Sequence, residues 1–236
     1  SGIGRPVTIA FAREGATVCV THLPVEQPDI DSLLKIDGLA TVMPLPADFR
    51  QPDEPARVIS ACVGRLGGLD ILINVAGVQR HANHLSEMSD EQTAETITVN
   101  FLSVVALCRA ALPHLKDGSS IIITGSVQAS MPAPYLLDYA ASKAALHAFG
   151  KGLARQLAKD GIRVNIVAPG PIWTPLQVCG GQPREMLPRF GSTTFLGRPG
   201  QPVDVAPAYV YLASDSASFV TGEVLHVDGG RYNNAL

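Results

Sequence analysis

Two short runs in this chain are apolar at every central position. Asp70-Ile71-Leu72-Ile73-Asn74 and Ser120-Ile121-Ile122-Ile123-Thr124 show no alternation of polar and apolar residues. A strand with one wet face would alternate, because successive side chains point to opposite sides. These runs therefore predict strands covered on both faces, as central strands of a parallel sheet are. Further strand-like runs lie at Thr17–Thr21, Thr41–Leu45, Arg163–Val167 and Val224–Val227. Helical patterns fall between them, at roughly 4–14, 52–66, 90–115, 138–159 and 202–213. Regular alternation of strand and helix predicts an α/β protein: a doubly wound parallel sheet with helices on both faces.

Composition narrows the class. A length of 236 residues suits one domain, taken here as 1–236, with a core of useful size. Hydrophobic residues make up 46% and charged residues 17%, which excludes a disordered chain. A formal net charge of −3 without a basic run gives no reason to expect nucleic acid. No uninterrupted apolar stretch approaches the ~18–20 residues of a membrane span, so no membrane is expected. Cys19, Cys62, Cys108 and Cys179 are far apart and lack metal-ligand spacing, so no metal is predicted. This cysteine usage predicts a reducing, cytoplasmic location.

Local signals mark element ends. Pro6 sits in the first turn of the first helix, where a missing N–H costs little. Ser89 is placed to cap the helix near 90, with Gln92 in the reciprocal capping position. Residues 169–201, rich in proline and glycine, read as a long binding loop or lid, with 171–201 as its substrate-binding part.

Tyr139 and Lys143 stand four residues apart in Tyr-Ala-Ala-Ser-Lys, inside a predicted helix. Residues at that spacing share a helix face. A free phenol, with a pKa of about 10, is a poor acid–base group at neutral pH. A neighbouring ammonium favours the phenolate and is expected to move it towards the working range. Ser126, upstream, is the hydroxyl suited to holding a substrate oxygen against the phenol. The spacing alone is common on solvated helix faces; the other motifs in the chain give it weight.

Ser1-Gly2-Ile3-Gly4, Asn74-Val75-Ala76-Gly77, Asn100, Ser126, the Tyr139–Lys143 pair and Pro169-Gly170 occur in one order along the chain. Together they resemble the short-chain dehydrogenase/reductase family over essentially the whole length. The resemblance implies a Rossmann fold, a nicotinamide cofactor (NAD or NADP) and a tetrad of Asn100, Ser126, Tyr139 and Lys143. It implies that Ser1, Gly2, Ile3 and Gly4 cradle the pyrophosphate at a helix N-terminus. Asp48 matches the residue that meets the adenine ring, and Asn74, Ala76 and Gly77 border the adenine ribose. His22 or Thr21 occupies the place where NAD-preferring members carry an acid; with neither acid nor base there, dual use or NADP is the expectation. Tyr139 and Lys143 also meet the nicotinamide ribose, while Pro169, Gly170, Ile172 and Thr174 face the nicotinamide. Asn100 is implied to hold a water near Lys143 through its backbone; a side-chain hydrogen bond between helices is the competing reading.

Gln128, Tyr135 and the 173–195 segment are the expected substrate contacts, and Gln79-Arg80-His81 lies near the reacting group. Leu136-Leu137-Asp138-Tyr139 and the Gly197–Pro202 segment resemble a bacterial subgroup acting on aldehydes, sugars or polyols. The expected activity is hydride exchange between nicotinamide and a carbonyl or alcohol carbon of a small molecule. A non-catalytic nucleotide-sensing or scaffold protein on the same fold is the alternative. The resemblance also implies a homotetramer. The first glycine of the family's G-x-x-x-G-x-G turn, and the strand before it, do not appear in the sequence. Either the sequence is an incomplete record of a longer protein, which is the expectation, or a truncated form binds its cofactor poorly.

Overall fold

The computed structural model of the protein describes residues 1–230. Its elements run α1 (Gly4–Arg13), β1 (Val18–His22), α2 (Gln27–Leu34), β2 (Val42–Pro46), α3 (Glu54–Leu66), β3 (Ile71–Asn74), α4 (Asp90–Ile97), α5 (Ser103–Ala111), β4 (Ser120–Thr124), α6 (Leu137–Leu157), β5 (Arg163–Pro169), α7 (Pro202–Ala213) and β6 (Val224–Val227). All strand pairs are parallel: β1 pairs with β2, and the other sheet follows the order β3-β4-β5-β6. Helices flank both faces, as the strand runs predict.

The isoleucine run of β4 explains that layering. Ile121 and Ile123 pack with Val58, Ile59, Leu107 and Leu146, on the side of α3, α5 and α6. Ile122, between them, packs with Val7, Phe11, Val205 and Tyr209, on the side of α1 and α7. All three isoleucines are fully buried. A strand buried on both faces cannot afford alternation, so apolarity is continuous.

Three details depart from expectation. The helix α2, opening with Gln27-Pro28, is absent from the sequence reading. The helix expected over 90–115 is continuous but not uniform, since Thr98–Leu102 forms a π-helical turn between α4 and α5. Ser89 does cap α4, accepting from the Gln92 N–H at 3.1 Å, but the Gln92 side chain does not return the bond. It donates instead to Asp138 at 3.2 Å, so no reciprocal box forms. The run Asp90–His114 is long and apolar enough to cross a membrane by length and composition alone. Its apolar residues Val104, Leu107, Cys108 and Ala111 are spent on the sheet core.

β1 and β3 face one another without pairing, and a cavity of about 1400 Å³ runs between them to the carboxyl ends of β3 and β4. In open α/β sheets that end is where ligands bind.

Truncating Ile122 removes a fully buried side chain from the α1/α7 layer. Ile122→Ala is expected to lower the unfolding free energy by about 2–5 kcal/mol, as read by denaturant titration. A loss below about 1 kcal/mol would show that this layer does not close the core.

Candidate active site

Each catalytic candidate is placed by an identifiable local cause. Tyr139 and Lys143 lie in the first turns of α6, both buried, with Lys143 Nζ 5.6 Å from the Tyr139 ring centroid. The start of α6 is tied down by Asp138, whose carboxylate accepts from Thr96 Oγ1 at 2.8 Å, from Gln92 and from the Tyr139 N–H. A carboxylate at a helix N-terminus is favoured by the exposed N–H groups and dipole there. That buried anchor ties α6 to α4 and sets where Tyr139 emerges.

Lys143 Nζ donates to the Thr124 carbonyl, at the end of β4, at 2.8 Å. Thr124 Oγ1 in turn shares a hydrogen bond of 2.7 Å with the fully buried Tyr209 hydroxyl. Burial pulls the Lys143 ammonium down from the usual 10.5 to about 8. Burial pushes the Tyr139 phenol up, and a hydrogen bond with Ser126 opposes that rise. This shift runs opposite to the expected depression, because desolvation of the phenolate outweighs its hydrogen bond. Ser126 Oγ accepts from the Gln128 N–H at 3.1 Å, which leaves the Ser126 proton available for donation.

Asn100 lies in the π-helical turn and is fully buried. Its Oδ1 accepts from the Val78 N–H at 2.8 Å; its Nδ2 donates to the Val78 carbonyl and to Ser142 Oγ, at 2.9 and 3.1 Å. The side chain thus clamps the segment after β3 to α6, which is the inter-element bond left open as the alternative. A side chain added at Gly77 would meet both Asn100 Oδ1 and Lys143 Nζ, so the turn after β3 closes directly over the site. Gly125 is equally constrained, because a Cβ there would collide with His147 beneath it. Burial, together with the charges of His226, Lys151 and Lys143, pulls the His147 imidazole down to about 4 and keeps it neutral.

The cofactor candidates Ser1, Gly2, Ile3, Gly4, His22, Asp48, Asn74, Ala76, Gly77, Pro169, Gly170, Ile172 and Thr174 all line the same cavity, as do Ser126, Tyr139 and Lys143. Gly2 has φ +53° with open space where a Cβ would stand, which suits a backbone turn that must lie close to a ligand. Asn74 Oδ1 is buried with no hydrogen-bond partner, an acceptor at the cleft end of β3. An open glycine turn leading into α1 and a stranded polar atom at the strand ends fit a dinucleotide.

Several assignments are refined. His22 is buried, its Nδ1 set against the Leu23 carbonyl at 2.9 Å. The Asp48 carboxylate is committed to Arg50, at 2.6 Å from the guanidinium. The sequence reading places no acid at the end of β1, yet Glu26 reaches that corner. It accepts from Ser1 Oγ at 2.7 Å and from the Leu23 N–H at 3.0 Å. Its place just beyond the strand end was the only available signal.

Gln128 lines the cavity but its Oε1 is tied to the Ala133 N–H at 2.6 Å. Tyr135 donates to Gln182 Oε1 at 3.1 Å, Gln182 donates to Gln177 Oε1 at 3.0 Å, and buried Gln79 donates to the Gly181 carbonyl at 2.6 Å. Gln177 and Gln182, inside the 173–195 segment expected to meet substrate, line the cavity as well. The base of the loop is fastened where Gly200 N–H bonds Pro171 O and Trp173 N–H bonds Gly200 O, at 2.9 and 2.8 Å.

A parallel sheet with helices on both faces, a glycine turn opening α1, and Ser, Tyr and Lys converging at the strand ends define a nucleotide-dependent oxidoreductase class. Residues 1–232 match the family profile described as enoyl-(acyl carrier protein) reductase. The chain belongs to the short-chain dehydrogenase/reductase family. It is 47% identical over 98% of its length to the uncharacterised oxidoreductase YghA of Escherichia coli, covering 80% of that protein. It is 42% identical to the NADPH-dependent aldehyde reductase 1 of Arabidopsis thaliana, covering 100% of this chain and 84% of the relative. A Burkholderia cenocepacia short-chain dehydrogenase solved with NADP superposes with TM-score 0.88 at 29% identity, covering 98% of this chain and 94% of that one.

Burying the Lys143 ammonium takes its pKa from 10.5 to about 8, worth about 3 kcal/mol. At pH 7 both folded and unfolded lysine are protonated, and only the folded one bears that cost. Between about 8 and 10.5 the folded lysine is already neutral, so the cost fades as pH rises. Lys143→Met is therefore expected to be more stable than the parent at pH 7, with the gap closing by pH 10 in parallel melts. A gap that widens with pH would contradict the burial argument.

Proposed function

We propose that the protein is an NAD(P)-dependent oxidoreductase interconverting a carbonyl and an alcohol, with an aldehyde, sugar or polyol as the small-molecule substrate. The observation that carries this reading is the convergence of Ser126, Tyr139 and Lys143 in one buried corner of the large cavity. When bound, the nicotinamide supplies or accepts the hydride.

In the reductive direction, Ser126 donates a hydrogen bond to the substrate oxygen and holds it beside the Tyr139 hydroxyl. Tyr139 passes its proton to that oxygen as the carbon gains hydride, and the resulting phenolate is stabilised by the Lys143 ammonium. Asn100 acts one step away, by holding the turn after β3 against α6. Intact proton-handling residues support turnover over a non-catalytic nucleotide sensor. The glutamines and Tyr135 around the loop supply donors and acceptors for a hydroxyl-bearing substrate. Two relatives bear compatible names, the aldehyde reductase above and a glucose and ribitol dehydrogenase of Daucus carota, 38% identical over 99% of this chain.

Tyr139→Phe is expected to abolish turnover across aldehydes, sugars and polyols while leaving nucleotide binding, followed by NADPH fluorescence, nearly unchanged. Retained turnover would falsify the mechanism. Glu26 bears on nucleotide choice, because its carboxylate repels a 2′-phosphate and accepts from ribose hydroxyls. Glu26→Gln is expected to shift the ratio of kcat/KM for NADPH over NADH upwards severalfold. An unchanged ratio would remove Glu26 from the ribose corner.

A further inference from the structure

Away from the reacting corner, Cys19 near the start of β1 and Cys62 in α3 pack together at the edge of the core and form a pair that the proposed chemistry does not use. Both thiols are free, and their Sγ atoms stand 2.7 Å apart. That is only about 0.7 Å beyond the roughly 2.05 Å of a disulfide bond, so closure needs little backbone movement. Cys19 is only half-buried, so a small reagent meets it first, while Cys62 is buried beside it. Cys108 differs: it is buried in the core and burial pushes its thiol up to about 12.

The pair is also polarised. A hydrogen bond from Cys62, helped by the Arg65 guanidinium, holds the Cys19 thiol down at about 7 against the effect of burial. The same bond, with burial, pushes Cys62 upwards. One sulfur is thus prepared to attack and the other holds the proton, an arrangement suited to an attacking and a resolving cysteine.

We propose that Cys19 and Cys62 are a redox-modification site, a dithiol that closes reversibly to a disulfide joining β1 to α3 by exchange with a low-molecular-weight disulfide. The Cys19 thiolate attacks one sulfur of that disulfide, whose S–S bond breaks and releases one thiolate. Cys62 then loses its proton to solvent and attacks Cys19 Sγ, releasing the second thiolate. The protein gives up two protons and two electrons, and the small disulfide takes them to become two thiols. In a reducing compartment such a link forms transiently, as sensing disulfides do. This inference stands apart from the proposed activity.

The test uses the full chain carrying Cys179→Ser, so that the exposed thiol forms no adduct of its own. After incubation with oxidised glutathione, remaining thiols are alkylated and peptides mapped by mass spectrometry. The expected product is a Cys19–Cys62 linked peptide lighter by two hydrogens, lost on treatment with dithiothreitol. Cys62→Ser is expected to stop at a glutathione adduct on Cys19. Mapping of the chain that keeps Cys62 decides the matter even if that variant fails to fold. Cys19 and Cys62 both recovered alkylated, a stable glutathione adduct on Cys19 with Cys62 present, or a link to Cys108 would each overturn the proposal.

Discussion

A buried ammonium, Lys143, bonded to the Thr124 carbonyl at 2.8 Å, is the contact on which the rest of the site depends. It joins the first turns of α6 to the end of the central strand β4. Burying that charge opposes folding, so the surroundings must hold it from several sides. Asn100 clamps the turn over it, Asp138 fixes the start of α6, and Tyr209 supports Thr124 from the opposite layer. An ammonium kept dry is also one that interacts strongly with a phenolate beside it. The group whose burial opposes folding is also the one proposed to act on Tyr139, as is common where activity trades against stability.

The sheet explains why these side chains meet. β3 and β4 pair in parallel, so their carboxyl ends lie side by side and deliver Asn74 and Thr124 to one edge. The segments after them carry Gly77 and Ser126 to the same place. Side chains packed against Gly77 and Gly125 leave no free room for a Cβ at either turn. The residues proposed to hold the nucleotide come from α1, β1 and the turn after β3, which line the same cavity.

Much of this was legible in the sequence, for physical reasons that differ by element. β3 and β4 announced themselves because strands buried on two faces have no polar position to hide in. Tyr139 and Lys143 were legible because helical periodicity converts their spacing into a shared face. The π-helical turn at Asn100 was not, since one extra residue in a turn leaves an apolar pattern almost unchanged. α2 escaped notice because Pro28 and its acidic neighbours read as a turn. Glu26, Gln177 and Gln182 come from short helical turns whose partners lie far away in the chain or depend on how a loop folds back. The upward shift of the Tyr139 phenol is not legible in sequence, which shows the neighbouring charge but not the depth of burial.

The central account is that one cleft brings a bound nicotinamide and the Tyr139 hydroxyl to opposite ends of a single carbonyl group. Isotope tracing tests this most directly. Carbonyl substrates of the aldehyde and sugar classes are incubated with the protein and NADPH or NADH carrying deuterium at C4 of the nicotinamide, and the products analysed by mass spectrometry. The account predicts an alcohol carrying one deuterium on the former carbonyl carbon, transferred from one face of the nicotinamide only. Nucleotide binding without deuterium in any product would contradict it.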